Sequence, residues 1–382
     1  MASSTSISAS VLHGVRDLRT ERRSLADPAE GELQVSVRRT GICGSDQHYY
    51  NHYRNGDILI REPMTLGHES SGVVEAVGAG VAGFSPGDRV ALEVGIPCDS
   101  CRLCEAGRYN ICADMRFRSS AKSFPHFQGT LQERINHPAK WCHKLPESVS
   151  LDEGALLEPL SVAIHAVRRA KLEKGANVLV LGAGAVGLLT AAMLRTAEVA
   201  SITVADVAGS RVEFAKAHGF ADVGVEVPRT APRETAPTIE DKLASAKETA
   251  AFLMKAASGG EGKQFDAVFE CTGVEACVQA GIYATAAGGK VLLIGMGTPI
   301  QTLPVSAAAL REVDLIGVFR YSNTYAYGIE VLADKAKYKL PDVAKLATHR
   351  VAGLDRVTDA FTLAGKPADD EGNLVIKVLI ET

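Results

Sequence analysis

Four cysteines stand within fifteen residues, CDSCRLCEAGRYNIC from Cys98 to Cys112, spaced C-x2-C-x2-C-x7-C. In a reducing compartment, cysteines clustered like this bind metal rather than pair as disulfides. Cys98, Cys101, Cys104 and Cys112 supply four thiolates, a closed tetrahedral shell with no position for a substrate. The expectation is a structural zinc. A second, dispersed set reads differently. GICGSDQHYY carries Cys43, Ser45, Asp46 and His48; LGHESSG carries His68 and Glu69; EGALLEPLSVAIHA carries Glu158 within an apolar run. Singly these are weak signals. A cysteine between glycines marks a turn, a lone histidine is more often packing or surface, and a carboxylate at a helix start is ordinary. Taken together, one soft thiolate, one imidazole and one or two carboxylates form an open zinc shell that leaves a position for water or a reacting oxygen. Glu158 is costly to bury unless it is paired or bound to metal.

The third constellation is VLVLGAGAVG, which gives G-x-G-x-x-G at Gly182, Gly184 and Gly187 directly after an apolar strand. The first glycine allows the tight turn, the second lets backbone approach a pyrophosphate, and the third lets helix pack on strand. The helix that follows, opening at Val186, directs free N–H groups at a phosphate. Asp206 ends SITVAD, 19 residues beyond Gly187. A carboxylate there accepts from the ribose hydroxyls and repels a 2′-phosphate, which favours NAD over NADP. Arg211 is close enough in sequence to soften that preference.

The elements that must position these residues fall into two kinds. The first 150 or so residues are rich in strands and turns: GELQVSVRRTGICGSD alternates as a half-buried strand, and SGVVEAVGAGVAGFSPGDRVAL reads strand, turn, turn, strand. From Lys174 onward, short apolar strands alternate with helices (NVLVL, SITVAD, FDAVFECTG, GKVLLIGMG), the pattern of a parallel sheet covered on both faces. Val225 to Lys263 interrupts this with the Pro/Thr-rich VPRTAPRETAPT and a helix expected over 239–257. The closing NLVIKVLIET reads as a strand. The expected architecture is α/β, with a doubly wound parallel sheet inserted in an irregular β domain.

The chain has 382 residues, 46% hydrophobic and 23% charged, with a net charge of −4. That balance gives no sign of a nucleic-acid or acidic-membrane partner. MASSTSISAS lacks the basic start and apolar core of a secretory signal, and no apolar run approaches the ~18 residues of a spanning helix. The expectation is a cytoplasmic protein. Of the eight cysteines, Cys142 and Cys277 are expected to be small buried hydrophobes.

GICGSD, LGHESSG, PGDRVA and GRYN resemble the zinc-dependent medium-chain dehydrogenases, and EGALLEPLSVAIHA, ECTG, QAGIYAT, REVDLIGVFRYSNT and THR resemble their sorbitol dehydrogenase-like, polyol-oxidising group. The resemblance spans nearly the whole chain. It implies a GroES-like catalytic domain over 1–160 with its zinc lobe at 98–112, a Rossmann NAD-binding domain over 161–320, and a return to the catalytic domain over 321–382. It implies a catalytic zinc near Cys43, His68 and Glu69, with Glu158 a ligand directly or through water, and Asp46 bonded to His68. Ser45 and His48 would carry the alcohol proton. Tyr49, Arg320 and Tyr321 would contact polyol hydroxyls, and Thr272, Gly273 and Gly295 would line the nicotinamide side. NAD, one catalytic and one structural zinc, a small polyol substrate and a homotetramer follow from the same resemblance. Three departures stand out: many animal sorbitol dehydrogenases lack the four cysteines, RYSNTYAYGI differs from the group's RYCNTW, and the 225–263 segment is long. The other readings are a threonine- or alcohol-type dehydrogenase, a non-catalytic nucleotide-binding protein of the same fold, and an interaction module built on Cys98.

Overall fold

The computed structural model describes residues 4–229 and 236–382. The chain divides into two compact units. One comprises Met1–Ser161, Ser322–Asp334 and Val343–Thr382; the other comprises Val162–Tyr321 and Lys335–Asp342. Among the described residues, no helix is long and apolar enough to cross a membrane.

The first unit is built around the strand Glu32–Gly41. Glu69–Val77 runs antiparallel along one edge of it. Along the other edge Arg134–Pro138 pairs with residues 32–36, and Lys377–Glu381 pairs with residues 39–41. The strand Ala347–Ala352 then runs parallel to Lys377–Glu381, so the end of the chain completes a sheet begun near its start. The alternation of Glu32–Gly41 predicts a half-buried strand, but both of its faces are covered. Gln34 and Ser36 are buried along with Leu33, Val35 and Val37. Gln34 is accommodated because its amide donates to Ala26 O and Asn136 Oδ1. The core beneath the site joins Tyr49, Tyr50, Met64 and Leu66 to Val357, Phe361 and Val378.

The second unit holds a six-stranded parallel sheet in the order Val223–Glu226, Ser201–Asp206, Asn177–Leu181, Phe265–Glu270, Thr285–Leu293, Asp314–Gly317. In chain order this is 3-2-1-4-5-6, the Rossmann arrangement, whose order reverses beside the first strand. Val178, Leu179 and Val180 are fully buried, as the continuous apolar run requires of a strand covered on both faces. The helix Ile239–Ala257 begins where it is expected, because Thr238 accepts from Asp241 N while Asp241 accepts from Thr238 N. The Pro/Thr-rich run before it lies partly outside the described residues. Cys142 is buried, whereas Cys277 is only half-buried on the helix Glu275–Ala284.

The glycine turn is tight for identifiable reasons. Gly182 has φ +97°, and a Cβ on Gly187 would lie 1.8 Å from Gly182 O. Gly187→Ala therefore forces backbone apart, and it should cost about 1–3 kcal/mol in chemical denaturation. An unchanged denaturation midpoint would show that the turn yields freely.

Candidate active site and metal centres

Strand register brings the dispersed residues together. Gly41 stands directly opposite Glu69. Two residues beyond Gly41 the chain turns into the helix Gly44–His52, with Cys43 as its N-cap at φ −90°, ψ 156°. His68 and Glu69 stand at the head of the strand Glu69–Val77, and donor atoms of Cys43, His68 and Glu69 all lie within 4.8 Å of one another. Gly41 is glycine because a Cβ there would sit 2.2 Å from Glu69 Oε2.

Asp46, 1% exposed, organises this cluster from below. Its Oδ2 accepts from Cys43 N (3.1 Å), and its Oδ1 accepts from Ser119 Oγ (2.6 Å) and Gly67 N (3.3 Å). The same Oδ1 lies 3.3 Å from His68 Nδ1. Burial alone would raise the Asp46 carboxyl, but His68, Ser119 and the Cys43 N–H outweigh it and hold the carboxyl below its usual range. Burial would likewise lower the His68 imidazolium; Asp46 and then Cys43 hold it well above the ordinary value in the metal-free protein. One sulfur on half-buried Cys43, with an imidazole nitrogen and a carboxylate on buried His68 and Glu69, suits zinc by donor type and number.

A residue that the sequence reading passed over completes the arrangement. Lys377, from NLVIKVLIET, is buried, and its Nζ donates to both Glu69 oxygens at 2.7 Å and to Ile42 O at 3.0 Å. Burial opposes the Lys377 charge, yet Glu69 first and Cys43 next raise its pKa, with a further contribution from Glu158. A single lysine within the apolar run LVIKVLI was the available signal. Glu158 is buried on the helix Leu151–Ala170, just before Pro159, and is not one of the three clustered donors. Ser45 is half-buried and His48 exposed on the helix that carries Asp46. Tyr49 is buried, with its hydroxyl accepting from Ala121 N at 3.2 Å.

The four cysteines form the second centre. Cys98 and Cys104 Sγ are 3.9 Å apart, Cys101 and Cys104 3.5 Å, Cys101 and Cys112 3.9 Å, and Cys112 and Cys98 3.6 Å. Sulfurs at the corners of a tetrahedron with Zn–S bonds of about 2.3 Å are roughly 3.8 Å apart, so the cage is already at the right size. Backbone and side-chain donors of Ser100, then the Cys101 N–H, lower the Cys98 thiol to about 6, while burial pushes Cys104 up to about 12. The lobe is tied into its unit by Tyr109, which donates to Glu93 Oε1 (2.6 Å) and accepts from Asn323 N (2.7 Å).

In the second unit, Asp206 closes its strand with Oδ2 accepting from Ala183 N (2.7 Å) and Oδ1 from Ala208 N (2.9 Å), so the carboxylate is held at the glycine turn. Val186 lies on the first turn of the helix Ala185–Arg195, and an Arg211 nitrogen would lie 3.7 Å from a Cβ on Gly184. A Cβ on Gly182 would lie 2.8 Å from the Thr272 side chain. Gly273 and Gly295 cross backbone on backbone, since a Cβ on Gly295 would sit 2.0 Å from Gly273 N. Glu270 ties both strands of this crossing. Its buried carboxylate accepts from Thr272 N (2.7 Å) and Gly273 N (3.0 Å), and its backbone oxygen accepts from Gly295 N (2.9 Å). A cavity of about 380 Å³ opens there, lined by Glu270, Gly273, Leu293, Gly295 and Gln301. Arg320 is half-buried at φ +50°, its guanidinium 4.9 Å from the Phe319 ring centre, and Tyr321 is buried beside it in sequence.

Removing the Lys377 charge leaves the Glu69 carboxylate buried without its cation. Lys377→Met should destabilise the metal-free protein by about 3–5 kcal/mol in urea denaturation. A loss under about 1 kcal/mol would show that the pair does not hold the centre together.

Comparison with known proteins agrees with this geometry. The pattern of the alcohol dehydrogenase GroES-like domain matches residues 29–147, and that of the zinc-binding dehydrogenases matches residues 185–334. The chain is 40% identical to the sorbitol dehydrogenase of Gallus gallus, over 92% of this chain and 91% of that one. It is also 40% identical to the sorbitol dehydrogenase of Homo sapiens, over 92% and 90%. Among solved structures, L-idonate 5-dehydrogenase from Escherichia coli superposes with a TM-score of 0.83 at 27% identity, covering 100% of this chain and 99% of that one. With two matching domain patterns, near-full-length identity and a Cys/His/Glu donor set at one strand end, the chain belongs to the sorbitol dehydrogenase-like group of the zinc-dependent medium-chain dehydrogenases.

Proposed function

We propose that this protein oxidises a polyol such as sorbitol or xylitol to a ketose, with NAD⁺ as hydride acceptor. The observation that carries this reading is the clustered Cys43–His68–Glu69 donor set, in a chain similar to sorbitol dehydrogenases over 92% of its length. When bound, zinc supplies a Lewis acid that lowers the pKa of the substrate alcohol, and the nicotinamide accepts the hydride. Cys43 and His68 hold the metal, with Glu69 and Glu158 as the carboxylates available to it. Asp46 fixes the orientation and tautomer of His68. Ser45 takes the alcohol proton and His48, at the solvent-exposed face of the same helix, releases it. Arg320 presents a fork of five N–H donors suited to several hydroxyls, and Tyr321 and Tyr49 complete the polyol contacts.

Gly182, Gly184, Val186 and Gly187 receive the pyrophosphate on backbone N–H groups. Asp206 accepts from the adenosine ribose and repels a 2′-phosphate, with Arg211 beside it. Thr272, Gly273 and Gly295 line the nicotinamide side. Cys98, Cys101, Cys104 and Cys112 hold a structural zinc. The same reading has the protein acting in the cytoplasm as a homotetramer.

A substrate panel decides between polyols and other alcohols. With NAD⁺, the rise in absorbance at 340 nm should be fast with one or more sugar alcohols, much slower with ethanol and with NADP⁺, and abolished by phenanthroline. Turnover of simple alcohols alone would move the substrate class. Turnover that survives full chelation would overturn the zinc assignment.

A further inference from the structure

We propose that Ser119 is a positioning residue for the metal-binding histidine: its hydroxyl fixes Asp46, and through Asp46 the orientation of His68. This rests on the reading of Cys43, His68 and Glu69 as a zinc site. Ser119 lies in FRSSAKSF, a stretch without a recognisable signal in the sequence.

The backbone at Ser119 is in an unfavourable conformation, with φ +62°, a region that residues other than glycine seldom occupy. Its neighbours hold it there. Arg118 is buried, and its guanidinium donates to Asn136 O (2.6 Å), Gln128 O (2.9 Å) and His137 Nδ1 (3.2 Å). Ser119 N donates to Phe127 O (3.0 Å). A glycine would satisfy all of these backbone constraints with less strain. What serine adds is the hydroxyl, and it points at a single acceptor, Asp46 Oδ1, at 2.6 Å.

That contact decides how Asp46 sits. On Oδ1 the other neighbours, Gly67 N and His68 Nδ1, are both at 3.3 Å, and Oδ2 is held by Cys43 N at 3.1 Å. The Ser119 hydroxyl is the shortest of the four contacts and the one that anchors the oxygen facing His68. With Nδ1 turned to Asp46, Nε2 is the nitrogen left for the metal. Phe117, from the same segment, packs its ring 5.6 Å from the His68 ring and limits the imidazole's swing. The segment thus supports the histidine from two sides. Without the hydroxyl, Asp46 Oδ1 keeps only its longer contacts, and His68 loses a fixed partner.

Loss of an outer partner of a metal-bound histidine typically lowers metal affinity 10- to 100-fold. For the more distant Ser119 the expectation is about tenfold, confined to one of the two metal sites. The test uses the full-length zinc-loaded protein, titrated with a chelator, with retained zinc counted by mass spectrometry and thermal melts run in parallel. Ser119→Gly should release the Cys43-site zinc at about tenfold lower chelator while the four-cysteine zinc stays, and its melt should match or exceed that of the parent because φ suits glycine. Ser119→Ala should show the same release; if it fails to fold, the glycine variant still reports. Unchanged release from Ser119→Gly would overturn the proposal and leave the zinc site standing. A parent protein that retains zinc at the four cysteines alone would overturn the proposal together with the site reading it rests on.

Discussion

The pairing of Gly41 with Glu69 is the constraint on which the site depends. A one-residue slip in an antiparallel register turns every side chain to the opposite face. Here it would carry Glu69 away from Lys377 and His68 away from Cys43. The register is guarded from several directions. Gly41 leaves room for the Glu69 carboxylate, where any Cβ would collide with it. Lys377 reaches in from the far end of the chain and binds both carboxylate oxygens. The closing strand, which belongs to the first unit, therefore contributes directly to the cluster around Glu69. Burying an ion pair gains little stability in itself, because desolvation offsets the attraction. What the pair provides is a fixed place for Glu69 beside Cys43 and His68.

The two cysteine-containing centres divide the labour according to their ligands. Four thiolates close a shell and quench its Lewis acidity, so the lobe at Cys98–Cys112 can organise chain but cannot activate an alcohol. Tyr109 links that lobe to Glu93 and to Asn323, so its zinc organises more than the fifteen residues that enclose it. The mixed centre keeps fewer protein ligands and greater acidity. Its candidate ligands are held by buried polar contacts rather than by short sequence spacing: Asp46 lies 3.3 Å from His68, Ser119 donates to Asp46, and Lys377 donates to Glu69.

How legible the site was in the sequence follows from this difference. The four cysteines were readable because a cage within one loop must have short spacing. The glycine turn was readable because phosphate binding demands small residues at fixed offsets, with Asp206 at the end of the next strand. The helix Ile239–Ala257 was expected over these residues, and the Thr238–Asp241 capping box seen in the structure fixes its start. Cys43, His68 and Glu69 are dispersed, so residue type suggested grouping them and the resemblance supported it, but no spacing rule placed them together. Ser119 escaped because its role depends on one hydroxyl direction at a positive φ. Glu270 stood within a quoted motif without a role, because its work of tying Thr272, Gly273 and Gly295 together is visible only once the two loops cross. Gln34 and Ser36 suggested a solvent-facing side because alternation cannot reveal that both faces of a central strand are covered.

The most direct measurement of the central claim is zinc content and polyol-dependent NADH formation in Cys43→Ser beside the parent protein. The account predicts a folded variant that holds one equivalent of zinc fewer, forms no NADH from any polyol, and still binds NADH by fluorescence. A variant that keeps the parent's zinc content and turnover would contradict it.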